Sequence, residues 1–121
     1  LENTHNLCYG TPIKSEYFQD VKKAIAPFNV NIHIDGARIF NAAIALGESV
    51  RTLAETADSI TCCLSKGLSC PSGSLIMGNN KFINNYIKNQ VLIENSNCQI
   101  HFYLGLHPWQ IHACRMRMNQ I

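Results

Sequence analysis

Charge is scarce in this chain. Only 15% of its 121 residues are Asp, Glu, Lys or Arg, the net charge is +2, and there is no basic run. A nucleic-acid surface needs clustered Lys and Arg, so the sequence makes no case for one. Long apolar runs are also missing. None approaches the roughly 18 residues that a membrane span requires. No internal repeat is present. Low charge here does not mean disorder, because 46% of the residues are hydrophobic, a globular composition. The length corresponds to one small domain with a modest core, short for a cofactor enzyme with two substrate-binding domains.

Cysteine is plentiful, with six residues. Such a number can mark a disulfide framework. Cys62 and Cys63, however, are adjacent inside an apolar run, where free cysteine behaves as a small buried hydrophobe. We expect reduced thiols and a cytoplasmic setting. No signal peptide is visible. The chain begins at Leu1 instead of Met, and Leu1-Glu2-Asn3-Thr4 reads as interior sequence, so a fragment is expected.

The pattern predicts alternating strands and helices. Residues 1–6 read as a short strand running into a polar turn, and Gly10 and Pro12 form a loop. Ser15 is a plausible cap for a helix over residues 16–26, with Tyr17, Val21, Ala24 and Ile25 as its apolar stripe and Pro27 as its stop. Residues 29–34 alternate as a strand, with Val30, Ile32 and Ile34 on one face and Asn31 and His33 on the other. Asp35-Gly36 ends it. A helix over residues 37–46 is apolar almost all round and should be largely buried, with Gly47 closing it. Ser49 can cap a third helix through Ala57. Residues 59–64 and 73–77 read as strands, and residues 81–90 as an amphipathic helix with Phe82, Ile83, Tyr86 and Ile87 inward.

This order predicts an α/β layer on a mainly parallel sheet. Ligands of such sheets bind beyond the carboxyl ends of the strands. Asp35 and Lys66 both follow predicted strands, so the spacing allows them to share one edge. Beyond Val91 the periodicity weakens. We therefore divide the chain into residues 1–88 and a divergent tail, residues 89–121. In that tail Cys98, His101, His107, His112 and Cys114 have a loose likeness to zinc-ligand spacing. They lack two compact pairs flanking a turn, and no metal is expected.

Each polar candidate has two readings. Lys66 lies in a semi-apolar run, where low-dielectric surroundings would free its amine as a nucleophile toward aldehydes; otherwise it is a solvated loop lysine. Asp35 can keep a pyridine nitrogen protonated, or it can cap the following helix. Arg38, three residues on, can hold an anion through its planar fork, or it can pair with Asp35. His33 faces either the site or merely the second surface of the sheet.

Several linked motifs go further than spacing. Leu1-Glu2-Asn3-Thr4-His5-Asn6, His33-Ile34-Asp35-Gly36-Ala37-Arg38-Ile39-Phe40-Asn41-Ala42-Ala43, Ala57-Asp58-Ser59 and Cys63-Leu64-Ser65-Lys66-Gly67-Leu68 stand at characteristic separations. Pro71-x-Gly73-Ser74 and Gly78-x-x-x-Phe82-Ile83 continue the series. Together they resemble the low-specificity L-threonine aldolases, within the aromatic amino acid β-eliminating lyase and threonine aldolase group, over residues 1–88.

The resemblance implies a pyridoxal 5'-phosphate enzyme of the aspartate-aminotransferase fold (fold type I), this stretch being part of the large cofactor-binding domain. It implies that Lys66 carries the cofactor's aldehyde, Asp35 meets its pyridine nitrogen, and Arg38 lies by its phenolic oxygen and the substrate carboxylate. His33, His5 and Ser65 would support them. The implied reaction is retro-aldol cleavage of a β-hydroxy amino acid, L-threonine or L-allo-threonine, to glycine and acetaldehyde, in a homotetramer. The family's upstream phosphate-binding turn and cofactor-stacking histidine have no counterpart here. Its Gly-Gly-Gly-Met-Arg-Gln element is replaced by Glu94-Asn95-Ser96-Asn97-Cys98-Gln99. Two alternatives therefore stand beside aldolase: another β-eliminating or racemising reaction on the same scaffold, and a truncated, non-catalytic product.

Overall fold

A computed structural model describes residues 1–71, 73–91, 98–99, 103–106 and 109–116, with side chains for residues 1–71 and 73–85. The strands are β1 (His33–Asp35), β2 (Ser59–Cys63), β3 (Ser74–Gly78), β4 (Cys98–Gln99), β5 (Tyr103–Leu106) and β6 (Trp109–Met116). The helices are α1 (Ser15–Ile25), α2 (Ile39–Leu46), α3 (Val50–Ala54) and α4 (Asn80–Val91). The α/β expectation holds.

The sheet is mixed. β1 and β2 run parallel, with Asp35 beside Thr61, while β2 and β3 run antiparallel from Ser59–Gly78 to Cys63–Ser74. The connections explain the difference. β1 reaches β2 through α2 and α3, the crossover that a parallel pair needs. Only a helix-free loop separates β2 from β3, which suits an antiparallel return. On the far side β6 pairs antiparallel with β3 and carries β4 and β5.

One face of β1 and β2 is dry. Ile32, Ile34, Ile60 and Cys62 form a single buried cluster with Phe18 of α1, Ile39 and Ala42 of α2, and Leu53 of α3; Leu75 and Met77 of β3 pack against it. Side chains alternate along a strand, so His33, Asp35, Ser59, Thr61 and Cys63 occupy the opposite face. Burial pushes the Cys62 thiol up, and Cys63 adds to this, so Cys62 is the small buried hydrophobe expected of it.

Several boundaries and faces differ from expectation. Residues 1–6 form no strand of their own. Residues 1–3 instead bond along the outer edge of β1, with a single parallel bridge between Glu2 and Asp35. Helix α1 begins at Ser15 without a side-chain cap, and Phe18, not Tyr17, is its buried aromatic. The true stripe is Phe18, Val21 and Ile25, spaced at one helical face, which leaves Tyr17 and Ala24 outside. β1 is shorter than predicted, and Val30 before it is exposed. Helix α2 is not buried all round, because Ile44 is 85% exposed. An eight-residue helix lying on one sheet face can cover only one stripe, here Ile39 and Ala42. Ser49 does cap α3, accepting from the Thr52 N–H. Asn79 caps α4 by accepting from the Phe82 N–H at 2.9 Å, and Ile83 is buried. The expectations for Tyr86 and Ile87, and for the tail's histidines and cysteines, concern side chains outside the described residues.

Candidate active site

Asp35 closes β1, and its backbone is tied on both sides. On the outer side its N–H donates to the Leu1 carbonyl at 2.7 Å, and its own carbonyl accepts from the Asn3 N–H at 3.0 Å. On the inner side the next residue, Gly36, donates to the Thr61 carbonyl at 2.8 Å. Gly36 is required by this close approach: a Cβ there would stand 2.9 Å from that carbonyl oxygen and 3.1 Å from Ile39 and Ile60. The Asp35 side chain does not cap α2. Its Oδ1 accepts from the Ala37 N–H at 3.0 Å, a local turn that aims the carboxylate and leaves Oδ2 unengaged among the described residues.

Arg38 precedes α2 and is half-buried. No ion pair joins it to Asp35; among the described residues its guanidinium has no acidic partner. The internal salt bridge, one of its two readings, therefore does not form.

Lys66 stands three residues beyond β2, in a loop closed by backbone hydrogen bonds from Leu64 N–H to Gly73 at 2.9 Å and from Cys70 N–H to Leu64 at 3.0 Å. Lys66 is exposed, as are all residues from 65 to 70, so the semi-apolar surroundings expected for it are not found. The apolar run around it ends with the strand. The loop does lean on α2, however. A Cβ on Gly67 would overlap the Asn41 side chain and come within 3.6 Å of Phe40. Lys66 is thereby held beside the first turn of the helix that Arg38 opens. Because β1 and β2 are parallel neighbours, Asp35, Arg38 and Lys66 all emerge at the carboxyl end of this strand pair, the edge the spacing pointed to.

His33 shares the Asp35 face of β1, and its Nδ1 lies 2.9 Å from the Ser59 hydroxyl. Desolvation pushes it below the usual histidine range, opposed by Asp35. His5 is turned elsewhere. Its Nδ1 accepts from the Leu7 N–H at 3.2 Å and its Nε2 lies 3.2 Å from Glu2, so it organises its own turn. Ser65 is exposed in the Lys66 loop.

Two residues stood in the quoted motifs without a role assigned to them. Asn3 is 1% exposed, and its carboxamide bonds both backbone groups of Ile13, with Ile13 N–H to Oδ1 at 2.9 Å and Nδ2 to the Ile13 carbonyl at 3.0 Å. Asp58 anchors the start of β1, accepting from the Ile32 N–H at 2.7 Å and from Lys22 at 3.0 Å. Desolvation raises the Asp58 carboxyl, but these two donors outweigh it and hold the group below its ordinary value. Neither residue sits in a periodic pattern. Only their polar character beside strand ends could have marked them.

Comparison with known proteins adds to this geometry. The sequence pattern of the beta-eliminating lyases matches residues 1–95. A probable low-specificity L-threonine aldolase 2 of Arabidopsis thaliana is 47% identical over 83 residues, 69% of this chain and 23% of that protein. A low specificity L-threonine aldolase of Escherichia coli O157:H7 is 46% identical over 88 residues, 73% of this chain and 26% of its own length. One from Candida albicans is 37% identical over 92 residues, 74% of this chain and 24% of that protein. The chain thus spans about a quarter of the length of the curated relatives it matches.

Proposed function

Because the chain belongs to the beta-eliminating lyase family, we propose that it is part of a pyridoxal-phosphate-dependent threonine aldolase that cleaves L-threonine or L-allo-threonine to glycine and acetaldehyde. The observation that carries this reading is the emergence of Asp35, Arg38 and the Lys66 loop together at the carboxyl end of β1 and β2.

The residues fit the group. An exposed amine and, among the described residues, a carboxylate with one open oxygen and a guanidinium without an acidic partner complement an aldehyde, a ring nitrogen and an anionic oxygen. Lys66 would hold the aldehyde through its amine. Asp35, its plane set by the Ala37 N–H, would accept from the ring N–H and so keep that nitrogen protonated. Arg38 would bind the substrate carboxylate with its fork of donors. His33, pinned to Ser59 and pushed toward its neutral form, would keep a second positive charge away from Asp35. Pyridoxal phosphate, when bound, supplies the electron sink for the charge left on Cα as the Cα–Cβ bond breaks.

The same reading carries a small β-hydroxy amino acid substrate, a homotetramer and a cytoplasmic location. It is compatible with the described helices, none of which is long and apolar enough to cross a membrane. The test is a visible spectrum of the protein with pyridoxal phosphate. A band near roughly 420 nm that vanishes in Lys66→Ala, together with Lys66-dependent release of acetaldehyde from threonine, is the expected result. A protein without the band, or with one indifferent to Lys66→Ala, would overturn the reading.

A further inference from the structure

We infer that Asn3 is a positioning residue for Asp35, setting the grip of the site on its cofactor without touching it. This rests on the reading above that Asp35 meets the cofactor ring. The argument begins with the edge of β1. The outer edge of β1 is met by residues 1–3, joined to it by one parallel bridge. Those residues carry the carbonyl that receives the Asp35 N–H and the N–H that binds the Asp35 carbonyl. Whatever holds residues 1–3 therefore holds the Asp35 backbone.

The Asn3 side chain is such a holder. With Oδ1 and Nδ2 bonded to the N–H and carbonyl of Ile13, it imitates a strand partner and ties the edge segment to the residue that leads into α1. Ile13 itself packs against the buried core. The connection runs unbroken from core to Ile13, to the Asn3 carboxamide, to the Asn3 N–H, and to the Asp35 carbonyl. Thr4 reinforces it. It is buried, its φ is 56°, and its hydroxyl donates to the Asn3 carbonyl, so the chain bends away at once and residues 1–3 cannot slide along β1. A carboxamide offers both an acceptor and a donor at this reach, which an ionised carboxylate does not. Alanine would leave two part-buried backbone groups of Ile13 without this partner, and aspartate would set a carboxylate against a carbonyl.

The experiment is a titration of the whole protein with pyridoxal phosphate as wild type, Asn3→Ala and Asn3→Asp, following the Lys66-dependent band and its pH midpoint at a temperature where circular dichroism shows each protein folded. The expected result is a cofactor Kd raised about 10-fold or more in Asn3→Ala, as for other residues that orient a ligand through another group, with a displaced pH midpoint. For Asn3→Asp the affinity relative to wild type should recover as pH falls, because a buried aspartic acid regains the lost donor on protonation. If Asn3→Ala does not fold, Asn3→Asp alone decides. A purely structural Asn3 would lower the melting temperature but leave Kd within twofold and the pH midpoint unmoved, and that outcome overturns the inference. A wild-type protein with no Lys66-dependent band would end the parent reading and this one with it, while a normal wild-type band with unaltered Asn3 variants would end this one alone.

Discussion

Around Asp35, residues 34, 36 and 37 are all buried, and the backbone is bonded to residues 1–3 on one side and to β2 on the other. Around Lys66, every residue from 65 to 70 is exposed, and the loop is held by its closing hydrogen bonds and by the seat of Gly67 on α2. The contrast separates two demands within one site. On the proposed function, a carboxylate that matches a ring nitrogen gains from a fixed backbone, whereas an amine that binds and releases a partner gains from a loop of low local stability.

The comparison can be broken most forcefully from the core side. Ile34→Ala removes a fully buried side chain behind Asp35 and should cost about 2–5 kcal/mol in urea unfolding. Gly36→Ala drives a methyl group onto the Thr61 carbonyl and should cost about 1–3 kcal/mol, with weaker cofactor binding as the carboxylate shifts. Asp58→Asn should cost about 1 kcal/mol at neutral pH, because the Ile32 bond is partly shielded while the Lys22 pair is open to solvent screening. Its pH dependence has a definite sign. The folded Asp58 carboxyl lies below its ordinary value, so its contribution is complete above the unfolded pKa of about 3.9 and is lost as pH falls through the folded one. Stability curves of wild type and Asp58→Asn should therefore converge in acid. At the other end of the scale, Lys66→Ala should abolish the cofactor band of the proposed function yet change unfolding stability by no more than about 0.5 kcal/mol, as expected for an exposed loop side chain.

The sequence made some of this legible and hid the rest for physical reasons. Alternation in Ile32-His33-Ile34 and the apolar run through Cys62 announced two buried strands, and the polar breaks after them located Asp35 and Lys66 at one edge. Helix faces were harder. Tyr17 and Phe18 are adjacent aromatics, and only packing into the buried cluster that also holds Leu53 and Ile34 decides which one turns inward. Ile44 belongs to a helix with no polar stripe, so its exposure could not be read from periodicity. The roles of Asn3 and Asp58 depend on partners 10 and 26 residues away, distances at which local patterns carry no information. The direction of β3 was misjudged: a mainly parallel sheet was expected, but the short connection from β2 suits an antiparallel return.

The two unlike faces of the sheet also shape the field around the site. Behind Asp35 stand Ile34, Ile60 and the helix-covered cluster, a medium of low polarisability; before it lies the side bearing His33, Ser59 and Thr61. A charge at such a boundary cannot spread its field lines evenly, and they crowd toward the more polarisable side. The carboxylate thus projects a stronger potential outward than the same group would on a strand wetted on both faces. A cationic ring approaching the carboxyl end of β1 and β2 would be drawn in before any hydrogen bond forms. The apolar packing that stabilises the fold therefore also acts as an electrostatic reflector for the site.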